Sequence, residues 1–185
     1  MNDETRVRDE WLALRCQTDE PDAFSDLVAV MELPLLYYAT KMSGNRDKAL
    51  DILQETWIRA LRGIRKLKDP GSLRPWLYRI VHGIAVDHVR QSVARERSEI
   101  TGVDLPETAD DETFSSDDAV LVHRALDELE PKHREVLVLY FLEEFSISEI
   151  AGVTGVPEGT VKSRLHYAKK AMREVISGGI YAKHE

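Results

Sequence analysis

Residues 99–118, "EITGVDLPETADDETFSSDD", contain eight carboxylates, no basic side chain and no apolar residues at helical spacing. A segment of this composition cannot bury enough apolar surface to offset its ordering entropy, so it reads as a solvated linker. Whatever folds in this chain must fold on either side of it. The charge along the sequence follows the same division. Residues 1–55 sum to −6, 56–98 to +7, 99–118 to −8, 119–160 to −5 and 161–185 to +4. Two basic islands thus lie within a chain whose net charge is −8. Partners that are polyanions can be met at those islands and are repelled elsewhere.

Both flanks carry helical patterns. Between 46 and 62, Leu50, Leu53, Trp57 and Leu61 recur at helical spacing and are expected to face the core, with Asp51, Gln54, Glu55 and Arg59 on the opposite, polar face. "PWLYRIVHGIAVDHVR" predicts a second amphipathic helix, with Pro75 in its first turn and Leu77, Ile80, Ile84 and Val86 to Val89 as candidate core. "VLVLYFL" at 136–142 suits a buried strand or a buried helix equally by periodicity; Pro131 as a first helical residue and the lack of a partner strand favour helix. The expected fold is all-α: two small helical domains, at 1–97 and 118–185, joined by a flexible acidic linker over 98–117.

The sharpest local signal lies near the carboxy terminus. Ser146 followed by Glu149 is a capping-box pattern, which predicts a helix from about Ile147 burying Ile147, Ile150 and Ala151. Gly155 can take the left-handed conformation that ends it, and Pro157 restarts the chain as another helix. Helix, tight turn and basic helix make a helix-turn-helix, whose second helix enters the major groove of DNA. At about 100° per residue, Val161, Leu165, Ala168 and Met172 share an inward stripe, while Lys162, Ser163, His166, Lys170 and Arg173 project outward. Tyr167 and Lys169 flank that face; Arg164 lies near the apolar stripe, better placed for a phosphate or an internal carboxylate than for a base edge. From 161 to 173 there are five cations and no carboxylate.

These residues carry a family resemblance. "FSISEIAGVTGVPEGTVKSRLHYAKKAM" resembles the region 4 helix-turn-helix of extracytoplasmic-function (ECF) sigma factors, and "DKALDILQETWIRALRGIRKL…GSLRPWLYRIVHGIAVDHVR" resembles their region 2. The resemblance implies a protein that binds core RNA polymerase and directs promoter recognition and transcription initiation. Asp51, Gln54, Glu55 and Arg59 would dock on the clamp helices of the largest polymerase subunit. The segment from Lys66 through Asp87 would open the −10 element and hold its nontemplate strand, with Lys66, Lys68, Arg74, Arg79, His82, Asp87 and Arg90 as contacts. "KDPGSL" would supply a loop for a flipped base. Thr160, Lys162, Ser163, Arg164, His166, Tyr167, Lys169, Lys170 and Arg173 would meet the −35 duplex. An anti-sigma factor is a further partner implied by the family. Trp76 could stack on a base or pack against the neighbouring helix.

Two departures bear on what transfers. The family usually has Arg-Asn where this chain has His82 and Gly83, an asparagine position associated with −10 readout that Gly83 has no side chain to fill, and often arginine where it has Tyr167, so the −35 preference cannot be copied from relatives. The rival reading is a standalone LuxR-type regulator, which shares much of the helix-turn-helix pattern. A receiver domain of alternating strands and helices would mark it, and residues 1–95 lack that alternation. No catalytic reading stands: His82 and His88 sit on different sides of a helix, phosphate-cradling glycine loops are absent, and Ser163 with His166 lacks an orienting acid. No metal or cofactor is expected. Cys16 is the single cysteine and is expected buried or idle. No apolar run approaches a membrane span and the amino terminus is too charged for a signal peptide, so the expected location is the cytoplasm.

Overall fold

Capping and face chemistry turn these patterns into eight α-helices among the described residues, 3–98 and 117–181 of a computed structural model, with no strand among them. They are α1 (Asp3–Gln17), α2 (Ala23–Ser43), α3 (Arg46–Gly63), α4 (Leu73–Ser98), α5 (Asp117–Asp127), α6 (Pro131–Leu137), α7 (Ile147–Thr154) and α8 (Glu158–Tyr181). Short 3-10 turns occupy Ile64–Lys66 and Pro70–Ser72, and a π-helical turn occupies Val138–Leu142. The chain divides into two compact units, the first built on α1 to α4 and the second on α5, α6, most of α7 and α8. The expected linker, apart from its end residues 98 and 117, lies outside the described residues.

In the first unit α2 and α4 supply the large core side chains. Leu27, Met31, Leu35 and Tyr38 of α2 are fully buried with Leu77, Tyr78, Val81 and Ile84 of α4, and the Tyr38 and Tyr78 rings lie 5.0 Å apart. The α3 helix starts at an Asn45 cap, whose side chain accepts a hydrogen bond from the Lys48 amide at 2.9 Å. Its buried face consists of Ala49, Ile52, Leu53, Thr56 and Ala60. This corrects the expected phase. Leu50 and Leu61, assigned to the core, are 46% and 59% exposed, because small residues let α3 approach its neighbours closely and turn the larger apolar ones outward. Val89 is likewise exposed, and Ile80 and Val86 are half-buried. Trp76 packs against Gly63, where an added Cβ would sit 3.0 Å from the indole Cζ2, so any side chain there would press on the indole ring. Of its two readings, packing is the one seen.

The α1 helix is fastened by charge. Arg74 Nε donates to Asp9 Oδ2 at 2.8 Å, and both residues are buried, Asp9 at 1% and Arg74 at 8% exposure. Arg74 was expected among the cations facing the −10 strand. Its guanidinium instead faces inward, since a buried carboxylate demands a partner and Arg74 supplies it. Cys16 is buried on the same helix, and burial pushes its thiol pKa up.

In the second unit Pro131 opens α6 as expected, and the Arg134 guanidinium donates to the carbonyls of Leu126, Asp127 and Leu129 at 2.8–3.0 Å, capping the end of α5. The ambiguous 136–142 segment is helical but widens to a π turn at Val138–Leu142. Val136, Val138, Leu139 and Phe145 are buried there.

Removing one member of the Asp9–Arg74 pair leaves a buried charge, so Arg74→Ala is expected to lower the stability of the first unit by about 3–5 kcal/mol. All three tryptophans, Trp11, Trp57 and Trp76, lie in that unit, so urea unfolding followed by tryptophan fluorescence reads the loss directly.

Candidate nucleic-acid and polymerase interfaces

The helix-turn-helix assembles as its sequence signals direct. Ser146 Oγ accepts from the Glu149 amide at 3.2 Å, and the Glu149 carboxylate accepts from the Ser146 amide at 2.8 Å, a complete capping box. Ile150 is fully buried, while Ile147 and Ala151 are half-buried. Gly155 ends α7 with φ 69°, its amide donating to Ala151 O at 2.9 Å. Pro157 O then accepts from the Thr160 and Val161 amides, starting α8.

Val161, Leu165 and Ala168 of α8 are buried and Met172 is half-buried. Lys162, Ser163, His166, Tyr167, Lys170 and Arg173 are exposed on the other side, and Arg164 and Thr160 are half-buried at its margins. Several members have local partners. Ser163 Oγ donates to Thr160 O at 3.0 Å, Lys170 Nζ lies 3.9 Å from the Glu174 carboxylate, and the His166 and Tyr167 rings meet edge to face at 5.4 Å. Lys169 stands apart from this group. Its ammonium sits 5.2 Å from the ring centres of both Tyr140 and Phe141, which lie in the π turn.

The second basic island surrounds the turn between α3 and α4. Lys66, Lys68, Arg79, Asp87 and Arg90 are exposed, His82 is half-buried, and Arg90 lies 4.0 Å from Asp87. Arg74 does not join them, being committed to Asp9. The Asp69 side chain accepts from the Gly71 amide at 3.1 Å and from the Ser72 hydroxyl, which shapes the turn before α4. At Gly83 an added Cβ would meet nothing within 4 Å, so packing does not demand the glycine that replaces the family's asparagine.

On α3, Asp51, Gln54 and Arg59 are exposed and Glu55 is half-buried. Glu55 pairs with Arg59 at 2.6 Å and lies 3.8 Å from His88 Nε2, which separates these two from Asp51 and Gln54. Beside Gln54 the outward face carries Leu50, Ile58 and Leu61, all exposed. Sequence reasoning missed this apolar component by assigning the larger residues to the core. The signal that could have found it is the run Ala49, Thr56 and Ala60, small residues at helical spacing.

A sigma-70 region 2 model matches residues 27–95, and a sigma-70 region 4 model matches 119–172. The RNA polymerase sigma factor SigV of Bacillus subtilis is 35% identical over 130 residues, spanning 70% of this chain and 76% of that one. ECF sigma factor SigL of Mycobacterium tuberculosis is 34% identical over 141 residues, spanning 74% and 78%. ECF sigma factor SigW of B. subtilis is 29% identical over 170 residues, spanning 84% and 89%. Among solved structures, the sigma factor RpoE in complex with the anti-sigma factor NepR from Bartonella quintana matches with TM-score 0.75 and 25% identity, covering 84% of this chain and 98% of that one. CnrH in complex with the cytosolic domain of CnrY matches in fold, with TM-score 0.63 and 23% identity over 92% and 97%.

The chain therefore belongs to the ECF sigma factors, the promoter-recognition subunits of bacterial RNA polymerase. It binds core polymerase and promoter DNA. Region 2 sits where a LuxR-type regulator would carry a receiver domain, and the standalone reading falls with it. No helix among the described residues is long and apolar enough to cross a membrane.

Gly155 holds a backbone conformation that costs an alanine about 1–2 kcal/mol. Nothing lies within 4 Å of an added Cβ, so backbone strain is the whole penalty. Gly155→Ala is expected to destabilise the second unit by that amount and Gly155→Asn by less. Far-UV circular dichroism should record the shift in urea, with the tryptophan transition of the first unit unmoved.

Proposed function

We propose that the three exposed faces divide the work of initiation. The α3 face, with Asp51 and Gln54 beside Leu50, Ile58 and Leu61, docks on the clamp helices of the largest polymerase subunit, and the Glu55–Arg59 pair forms its polar rim. Lys66, Lys68, Arg79, His82, Asp87 and Arg90 hold the opened −10 strand. On α8, Lys162, Ser163, His166, Tyr167, Lys170 and Arg173 enter the −35 major groove, with Thr160, Arg164 and Lys169 at its phosphate margins. Domains at 1–97 and 118–185 carry these faces, and the acidic linker at 98–117 passes near the active-site channel of the polymerase. The protein works in the cytoplasm by binding alone, without covalent chemistry. An anti-sigma factor holds it inactive, as the partners named for RpoE and CnrH suggest.

The observation that carries this reading is the phase of α8: burying Val161, Leu165 and Ala168 turns Lys162, Ser163, His166, Lys170 and Arg173 outward together. Reconstitution with purified core polymerase, followed by mapping of transcript starts on genomic DNA, tests it. Start sites that share spaced −10 and −35 sequences are expected; failure to direct core to any start would reject it.

Two substitutions sharpen the assignment. Gln54→Ala with Glu55→Ala gives up the Glu55–Arg59 ion pair, which contributes about 0.3–0.5 kcal/mol, and a long contact with His88, so folding should survive while competition for core weakens. Parental competition would remove α3 from the docking surface. On α8, Lys170→Ala should weaken promoter binding on all sequences alike and lower the salt slope by about one unit. Ser163→Ala or His166→Ala should instead shift base preference at one position by about 1–3 kcal/mol. Sequence-blind losses at all three would reduce α8 to an electrostatic anchor.

A further inference from the structure

The turn between α3 and α4 has little structure of its own. Two 3-10 turns flank Leu67–Asp69, and Leu67 and Asp69 are extended. Beyond the Asp69 turn, what fixes it is α1, a helix outside the region 2 match at 27–95. The Gln17 side-chain amide donates to Ile64 O at 3.2 Å and to Leu67 O at 2.7 Å, reaching 47 and 50 residues along the chain. Just beyond α1, Asp19 takes a left-handed conformation, φ 55°, and its carboxylate accepts from Arg65 Nε at 3.1 Å. On the far side of the turn, Asp9 holds Arg74. The exposed Lys66 and Lys68 therefore project from a backbone pinned before and after them by one helix.

We infer that Gln17 is a positioning residue for promoter opening: its amide holds the 64–69 backbone in the shape that presents Lys66 and Lys68 to the unpaired strand. The inference rests on the reading of this turn as the −10 strand site. Opening a duplex costs a few kcal/mol that strand contacts must offset. A turn ordered during folding makes those contacts without an ordering cost at the moment of capture. Both hydrogens of the Gln17 amide are engaged by carbonyls, so the role depends on a donor and not on bulk. Gln17→Met keeps the length and removes the donors. Gln17→Glu keeps the shape and sets acceptors against two carbonyl oxygens.

The test uses holoenzyme reconstituted with each variant on a promoter mapped with the parent, supplied as duplex and as a template premelted across the −10 element. Gln17→Met loses both hydrogen bonds and should lower output from duplex roughly thirtyfold. Gln17→Glu should lower it further. On the premelted template, where the opening cost is already met, both should recover most of the loss. Competition for core should match the parent throughout. Parental output on duplex from both variants overturns the inference. So does a loss that persists undiminished on the premelted template or comes with weakened core binding, since either marks a general lesion of the fold. Lys66→Ala with Lys68→Ala, assayed in parallel, tests the reading beneath: parental opening by that variant would remove this turn from the strand site whatever Gln17 does.

Discussion

A carboxylate buried at Asp9 must be neutralised; Arg8 beside it reaches one oxygen at 3.4 Å, and the closer, buried partner comes from elsewhere in the fold. Arg74 Nε meets it at 2.8 Å, which joins α1 to the first turn of α4. Much of the first unit follows from this contact. With α1 seated, Gln17 reaches the carbonyls of Ile64 and Leu67, and Arg15 ties the end of α1 to Glu20 and to Asp26 at the start of α2. The pair stabilises little relative to an apolar replacement, and it ties α1 to one register against α4 in this fold.

The two basic islands are built by different means. On α8 the cations face outward because the opposite stripe is buried, so the basic face is a by-product of amphipathic packing. Around the α3–α4 turn no amphipathic stripe does that job. There the cations sit on irregular backbone whose shape comes from Gln17, Asp19 and the Asp69 turn. In the proposed division of work, a regular helix suits a regular duplex groove and a braced turn suits a strand leaving its helix.

The same contrast explains what the sequence discloses. Ser146, Glu149, Gly155 and Pro157 act over a few residues, so cap, stop and restart were legible, and the phase of α8 followed from them. The face of α3 was half legible. Its spacing puts Asp51, Gln54 and Arg59 outside, where they lie, but side-chain size alone sends Leu50 and Leu61 inward. Close packing by Ala49, Thr56 and Ala60 reversed that. Arg74 was grouped with its basic neighbours because nothing local reveals a carboxylate 65 residues earlier. Gln17 was invisible for the same reason. Local chemistry is written in local sequence, whereas a bond spanning half a domain leaves no periodic trace.

The range of these bonds also sets an order of assembly during synthesis. Those that shape the α7–α8 turn span no more than four residues, so it can form as soon as it clears the ribosome. The seat of α1 is completed only when residue 74 has emerged, because Asp9 waits 65 residues for its partner. Until then α1 carries unburied Leu12, Ala13 and Cys16 on one side beside Val7, Trp11 and Leu14 on the other, which stay exposed even in the finished fold. The nascent chain thus passes through an interval in which its first helix is apolar on both faces. That interval, and not the acidic folded surface, is where this protein is most prone to be captured by a chaperone or by another copy of itself.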